Sequence, residues 1–133
     1  MSDLGALSPE LLLARIDVER DAQHIVIEGK ELRLAEIDAE EVRLAADDER
    51  VALKVAEIAA KVETVEDAIE VRRERIKKHE YEHIVRKNRL RLLELAEERA
   101  AVLLDITASE THIARLEAEE RQQKTRLKER AHG

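Results

Sequence analysis

The 133-residue sequence has no cysteine, phenylalanine or tryptophan, and only one tyrosine, one proline and three glycines. Each shortage removes a class of protein. Without cysteine there is no disulfide framework, no thiolate ligand for zinc and no thiol nucleophile. Tyr81 is the sole aromatic ring, whereas a thick core or an enclosed substrate pocket leans on aromatic bulk. One Pro and three Gly leave little from which to build the turns of a sheet. No apolar run approaches the roughly 20 residues that cross a bilayer. The N-terminal stretch, acidic at Asp3, lacks the basic and apolar regions of a secretory signal. The expectation is a soluble, cytoplasmic chain with no membrane partner.

What is present is equally one-sided. Ala, Glu, Lys, Leu and Arg fill 83 of the 133 positions, about 62%, the composition of long helices or coiled coils. The fold class expected is all-α. Ser8-Pro9-Glu10 reads as a helix start: a serine N-cap, proline at the first helical position and an acid against the positive helix end. Gly29 is the only glycine between that start and the C-terminus; a long helix absorbs its cost of about 1 kcal/mol, and it marks a site where the chain could bend.

Apolar spacing carries the main signal. Val51, Val55, Ile58, Val62, Val65, Ile69 and Ile76 alternate steps of four and three that fail only at Arg72, and the same frame runs back through Leu44, Ile37 and Leu34, a heptad seam. A second frame runs through Leu92, Leu95, Arg99, Val102, Ile106, Ser109, Ile113, Leu116, Glu120, Gln123 and Leu127. The two do not join: the first, continued past Ile76, lands on His79, His83 and Arg86. A frame that fails and restarts in a new phase predicts a long antiparallel two-helix coiled-coil hairpin. The chain is then one domain, with a disordered tail over 1–8, helix one over 9–77, a turn at 78–80 and helix two over 81–131. The alternative is one continuous helix, roughly 180 Å long at 1.5 Å per residue, paired with a second chain and stuttering near residue 80.

With a turn at 78–80, about 20 residues at the start of helix one overhang. They hold a third apolar frame, Leu11, Val18, Ile25, Leu32, Ala35, Ala39 and Val42. An apolar stripe of that length calls for cover, either by a fold-back at Gly29 or by a second copy, and the expectation is a homo-oligomer.

Charge is segregated too. Residues 72–91 hold nine bases and three acids, net +6, against −7 for the whole chain. At a hairpin tip this window would present Arg72, Arg73, Arg75, Lys77, Lys78, Tyr81, Arg86, Lys87, Arg89 and Arg91 to an acidic protein surface, or, as the alternative, to nucleic acid phosphates. The plainer reading is that these side chains solvate the helix exterior.

Catalytic motifs are few. His79-Glu80-Tyr81-Glu82-His83 matches H-E-x-x-H, in which two histidines one turn apart bind zinc and the glutamate activates water. A zinc hydrolase also needs a third ligand and a cleft; candidate carboxylates such as Glu97 and Glu98 lie some four turns away on a straight helix. Ser2, Ser8 and Ser109 sit in no nucleophile elbow, and there is no phosphate-cradling glycine loop. No enzyme, metal or cofactor is expected.

The run Ile76-Lys77-Lys78-His79-Glu80-Tyr81-Glu82-His83-Ile84, followed by an acidic, leucine-rich stretch through Leu95, Glu97, Glu98 and Leu104, resembles the bacterial coiled-coil zinc-ribbon proteins. There a basic turn leads into a Lys-Glu-Tyr-x-x-Leu-like segment; Glu80, Tyr81 and Ile84 match it, while His79 and His83 depart from it. The resemblance implies an antiparallel helical hairpin acting as an adaptor around a flagellar or secretion apparatus, or as a nucleic-acid binder. The family's cysteine-ligated ribbon has no counterpart here. By architecture alone the chain is also similar to two-helix stalk proteins of flagellar export and to the helical arm of seryl-tRNA synthetases. The function expected is thus a non-enzymatic adaptor or scaffold that binds proteins.

Overall fold

The computed structural model describes residues 8–132. Two α-helices make up 97% of them, packed against each other as an all-α hairpin: α1 over Pro9–Thr64 and α2 over Ala68–His132. Among the described residues there is no strand, and no helix is long and apolar enough to cross a membrane. The expected tail over 1–8 lies, Ser8 apart, outside the described residues.

α1 begins as its sequence dictates. The Ser8 hydroxyl accepts a hydrogen bond from the Leu11 amide at 3.1 Å, and the Ser8 carbonyl takes the first helical bond, from Leu12 at 3.0 Å. The helix continues unbroken through Gly29, so the fold-back considered there does not occur. Gly29 has no positive φ, and a Cβ built on it would meet nothing within 4 Å.

The turn is not at 78–80, and helix one does not reach residue 77. The chain reverses at residues 65–67, Val65-Glu66-Asp67. Asp67 is the reason: its Oδ1 accepts a hydrogen bond from the Ile69 amide at 2.9 Å, and its carbonyl takes the first bond of α2, from Val71 at 3.0 Å. Such a cap contributes about 1 kcal/mol. Ile69 and Ile76, counted in the first seam by spacing, belong to α2 and are 63% and 56% exposed. Residues 78–80 are helix interior.

With the turn placed there, each helix keeps a single heptad frame. On α1 one heptad frame of side chains withdrawn from solvent holds Leu13, Ile16, Ile27, Leu34, Ile37, Leu44, Val51, Val55, Ile58 and Val62, with polar residues at the positions between, and Val65 of the turn continues it. On α2 the frame seen from Leu92 onward runs back through Asn88, Val85, Tyr81, Lys78, Glu74 and Val71. The break in phase is therefore real; polar residues at Glu74, Lys78 and Asn88 conceal where it lies.

Two compact units form along the chain, one from residues 34–100 and one from residues 1–33 with 101–133. In the first, Ile37, Val51 and Leu95 are fully buried, with Ile58 close behind. Ion pairs flank this seam. Arg91 grips Glu40 through two bonds of 3.0 Å, Arg99 reaches Asp38 at 2.7 Å and Glu41 at 2.8 Å, and the Asn88 amide donates to Asp47 and Asp48 at 2.9 Å each.

The second unit buries Ile16, Val102, Ile106, Ile113 and Leu116, together with Ser109 and Gln123. Its α1 side fills seam positions with Arg20, Gln23 and Lys30, and two of these reach across, Arg20 to Glu120 at 2.8 Å and Lys30 to Asp105 at 3.0 Å. Glu10 meets Arg130 at 3.5 Å. The first 20 residues of α1 thus have a partner helix, and the expected overhang does not exist. The third apolar frame is real nonetheless, on the opposite side of α1: Val18, Ile25, Leu32 and Val42 are 64–72% exposed.

Candidate interaction surface on α2

Since the turn is Val65-Glu66-Asp67, the hairpin tip is acidic. The basic window 72–91 lies instead within α2, in the unit formed by Leu34–Ala100. A heptad helix gives each residue one of two tasks there, facing the seam or facing solvent.

Three of the expected contact residues face inward. Lys78 and Tyr81 occupy seam positions and are half-buried, and Arg91 is committed to Glu40. Tyr81 is therefore turned partly into the seam; it borders a shallow depression with Lys54, Glu57, Lys61 and Glu74. The other seven, Arg72, Arg73, Arg75, Lys77, Arg86, Lys87 and Arg89, are exposed. Of these, Lys77 leans on Glu74 at 3.5 Å and Arg86 on Glu82 at 3.9 Å. Arg72, Arg73, Arg75, Lys87 and Arg89 have no ion-pair partner among the described residues.

The acids of the window behave in the opposite way. Glu74 is 3% exposed, with Lys61 Nζ at 3.0 Å across the hairpin and Lys77 Nζ at 3.5 Å. Glu82 is half-buried beside Lys78, His79 and Arg86. Only Glu80 points outward. The helix so turns its acids in and its cations out. Between those cations stand Ile69, Ile76, Leu90 and Leu93, 56–63% exposed. The side chains on offer are thus guanidinium and ammonium groups bordering an apolar stripe.

Glu74 was not singled out by sequence reasoning, because one acid among 31 carries no signal until its neighbours are known. The hydrogen bond from Lys61 holds its carboxyl below the usual glutamate range, and the same bond raises Lys61. A lowered folded-state pKa means stability that is full above the unfolded value, about 4.3–4.5, and is lost as pH falls through the folded value. Wild type is expected to exceed Glu74→Gln in melting temperature at pH 7. That advantage should shrink below about pH 4.5, followed by circular dichroism melts across the acid range. A difference between the two chains that ignores pH refutes the ion-pair account.

His79 and His83 sit one turn apart and exposed on α2, and His79 has Glu82 at 4.0 Å. Among the described residues no group of three or more His, Cys, Asp or Glu side chains is placed to hold a metal ion. The run Ile76-to-Ile84 that carries the family resemblance is helix interior, so it does not open the returning helix as it would in that family. Comparison with protein-family models, with curated proteins and with solved structures finds no match in any of the three.

Proposed function

We propose that the chain is a non-enzymatic coiled-coil adaptor or scaffold that self-associates and contacts protein partners through the outer face of α2. The observation that carries this reading is the combination at residues 69–93: four large apolar side chains in solvent, bordered by five cations that no acid among the described residues engages. Apolar anchors with a charged border are how protein surfaces recognise one another, the apolar part supplying affinity and the charges steering and register. Nucleic acid is the second reading, favoured by the free cations alone. Phosphate binding makes no use of Ile69, Ile76 or Leu90, and the one aromatic ring, Tyr81, sits at a half-buried seam position rather than among the free cations.

A photo-crosslinking side chain at Leu90 in cells that make the protein tests this. The expected product is a light-dependent adduct that protease destroys and nuclease leaves intact. A nuclease-sensitive adduct transfers the surface to nucleic acid, and absence of any adduct ends the adaptor reading for this face.

A further inference from the structure

The partner of the basic face can be sought on the chain itself, because the charge sorting seen on α2 is reversed on α1. α1 carries 15 acids against 8 bases, and α2 carries 13 against 16. Between Ile16 and Leu32 the only bases of α1 are Arg20 and Lys30, and both are drawn toward α2, onto Glu120 and Asp105. What remains outside is acidic: Asp21, Glu28 and Glu31 are exposed with no ion-pair partner among the described residues, and Asp17 and Glu19 stay 60–64% exposed beside theirs. Arg15 is the lone exposed cation nearby. Through these acids runs the stripe Leu11, Val18, Ile25 and Leu32, spaced seven residues apart on the side of α1 away from the seam and 43–72% exposed.

The two faces match in extent as well as in sign. One spans residues 11–32 of α1 in the unit formed by 1–33 and 101–133; the other spans 69–93 of α2 in the unit formed by Leu34–Ala100. Each offers four large apolar side chains, the α1 set at strict heptad spacing and the α2 set with Ile69, Ile76 and Leu90 in one frame beside Leu93. Large apolar residues one heptad apart keep to one side of a helix and can lie along a matching line on another helix. Each span covers just over three heptads, of which the outward-facing residues are the ones that can meet a partner. Each face lies on the outside of its own unit, opposite the seam, so neither is used in packing α1 against α2.

We propose that the acidic apolar face of α1, residues 11–32, docks on the basic apolar face of α2, residues 69–93, of a second copy of this chain. This deepens the scaffold reading above and rests on it: it names the partner of that surface. The contact is heterologous, one kind of patch on another. Reciprocal docking of both pairs closes a dimer, whereas docking of one pair at a time leaves one face of each kind exposed, and addition continues until a ring closes or a filament grows.

Charge exchange tests the pairing. Chain X carries Arg72→Glu, Arg73→Glu, Lys87→Glu and Arg89→Glu; chain Y carries Asp21→Lys, Glu28→Lys and Glu31→Lys. X then has two acidic faces and Y two basic ones, so each should sediment as a single 15.2 kDa chain at concentrations where wild type shows at least twice that mass. Mixing X with Y restores opposite signs at both contacts, and the mass should climb back to the wild-type level or above. Raising salt should lower the mass of wild type and of the mixture together. Circular dichroism establishes that X and Y keep wild-type helicity; should either lose it, Val18→Ser with Ile25→Ser supplies the single-chain comparison without altering charge. Wild type that stays at one chain mass over a hundredfold concentration range overturns the proposal, as does association of X or Y alone at wild-type strength. If wild type is monomeric while Leu90 still captures another protein, self-docking falls and the scaffold reading stands with a different partner.

Discussion

Proline at position 79 is expected to remove most of the stability of the hairpin, whereas proline at position 66 is expected to be nearly silent. His79 lies well inside α2, eleven residues beyond its first residue, Ala68. A proline there deletes one helical hydrogen bond and drives its ring into the carbonyl four residues back, at a cost of about 3 kcal/mol or more. Against the 5–15 kcal/mol that holds a domain together, that is a large fraction. Glu66 is outside both helices, in the three-residue turn, and exposed, so Glu66→Pro should change stability by no more than about 1 kcal/mol. Urea titrations followed by circular dichroism measure both. The comparison discriminates between the two places where the sequence could reverse: had the turn been at 78–80, the order would invert, with His79→Pro harmless and Glu66→Pro breaking a continuous helix.

That the turn is misread from spacing alone has a specific cause. Heptad arithmetic registers apolar residues, and around the true reversal the seam of α2 is filled by Glu74, Lys78 and Asn88, which arithmetic discounts. Ile69 and Ile76 happen to extend the α1 frame while facing solvent. A better signal is present in Asp67 and Glu70: an N-cap acid followed three residues later by glutamate is the spacing of a capping box. It marks a helix start without any glycine or proline. By contrast the N-terminal cap at Ser8-Pro9, the long helices and the second seam from Leu92 to Leu127 are all legible in the sequence, because each rests on local chemistry or on periodicity sustained over many turns.

The interaction surface is legible in the same partial way. Nine bases within 72–91 are visible as a cluster. Which of them are free is decided by residues far along the chain, Glu40 for Arg91 at a separation of 51 and Lys61 for Glu74 at 13. Pairing of this kind removes acids from the outside of α2 and bases from the outside of α1, so an overall charge of −7 resolves into two faces of opposite sign only after the helices are set against each other. Ion pairs at half-exposed positions contribute little stability individually. Their larger consequence here is selection: they determine which charges remain for a partner.

The same division between inward and outward apolar residues yields the second large effect. Leu95 is wholly buried, in the unit whose other fully buried side chains are Ile37 and Val51. Leu95→Ala is expected to cost about 2–5 kcal/mol, the transfer energy of the lost atoms plus the cavity left behind. Leu90, only five positions away and chemically identical, is 60% exposed; Leu90→Ala should leave the unfolding free energy of the single chain within about 0.5 kcal/mol of wild type. The measurement is urea unfolding at a concentration low enough for one chain per particle. It separates two uses of leucine that composition cannot tell apart. If truncation at 90 costs as much as truncation at 95, then Leu90 already has a partner inside the hairpin, and an outer apolar stripe waiting for one does not exist. If Leu90→Ala is silent in the single chain and costly only once chains associate, its energy resides in the contact between copies, where the charges around it are arranged to be met.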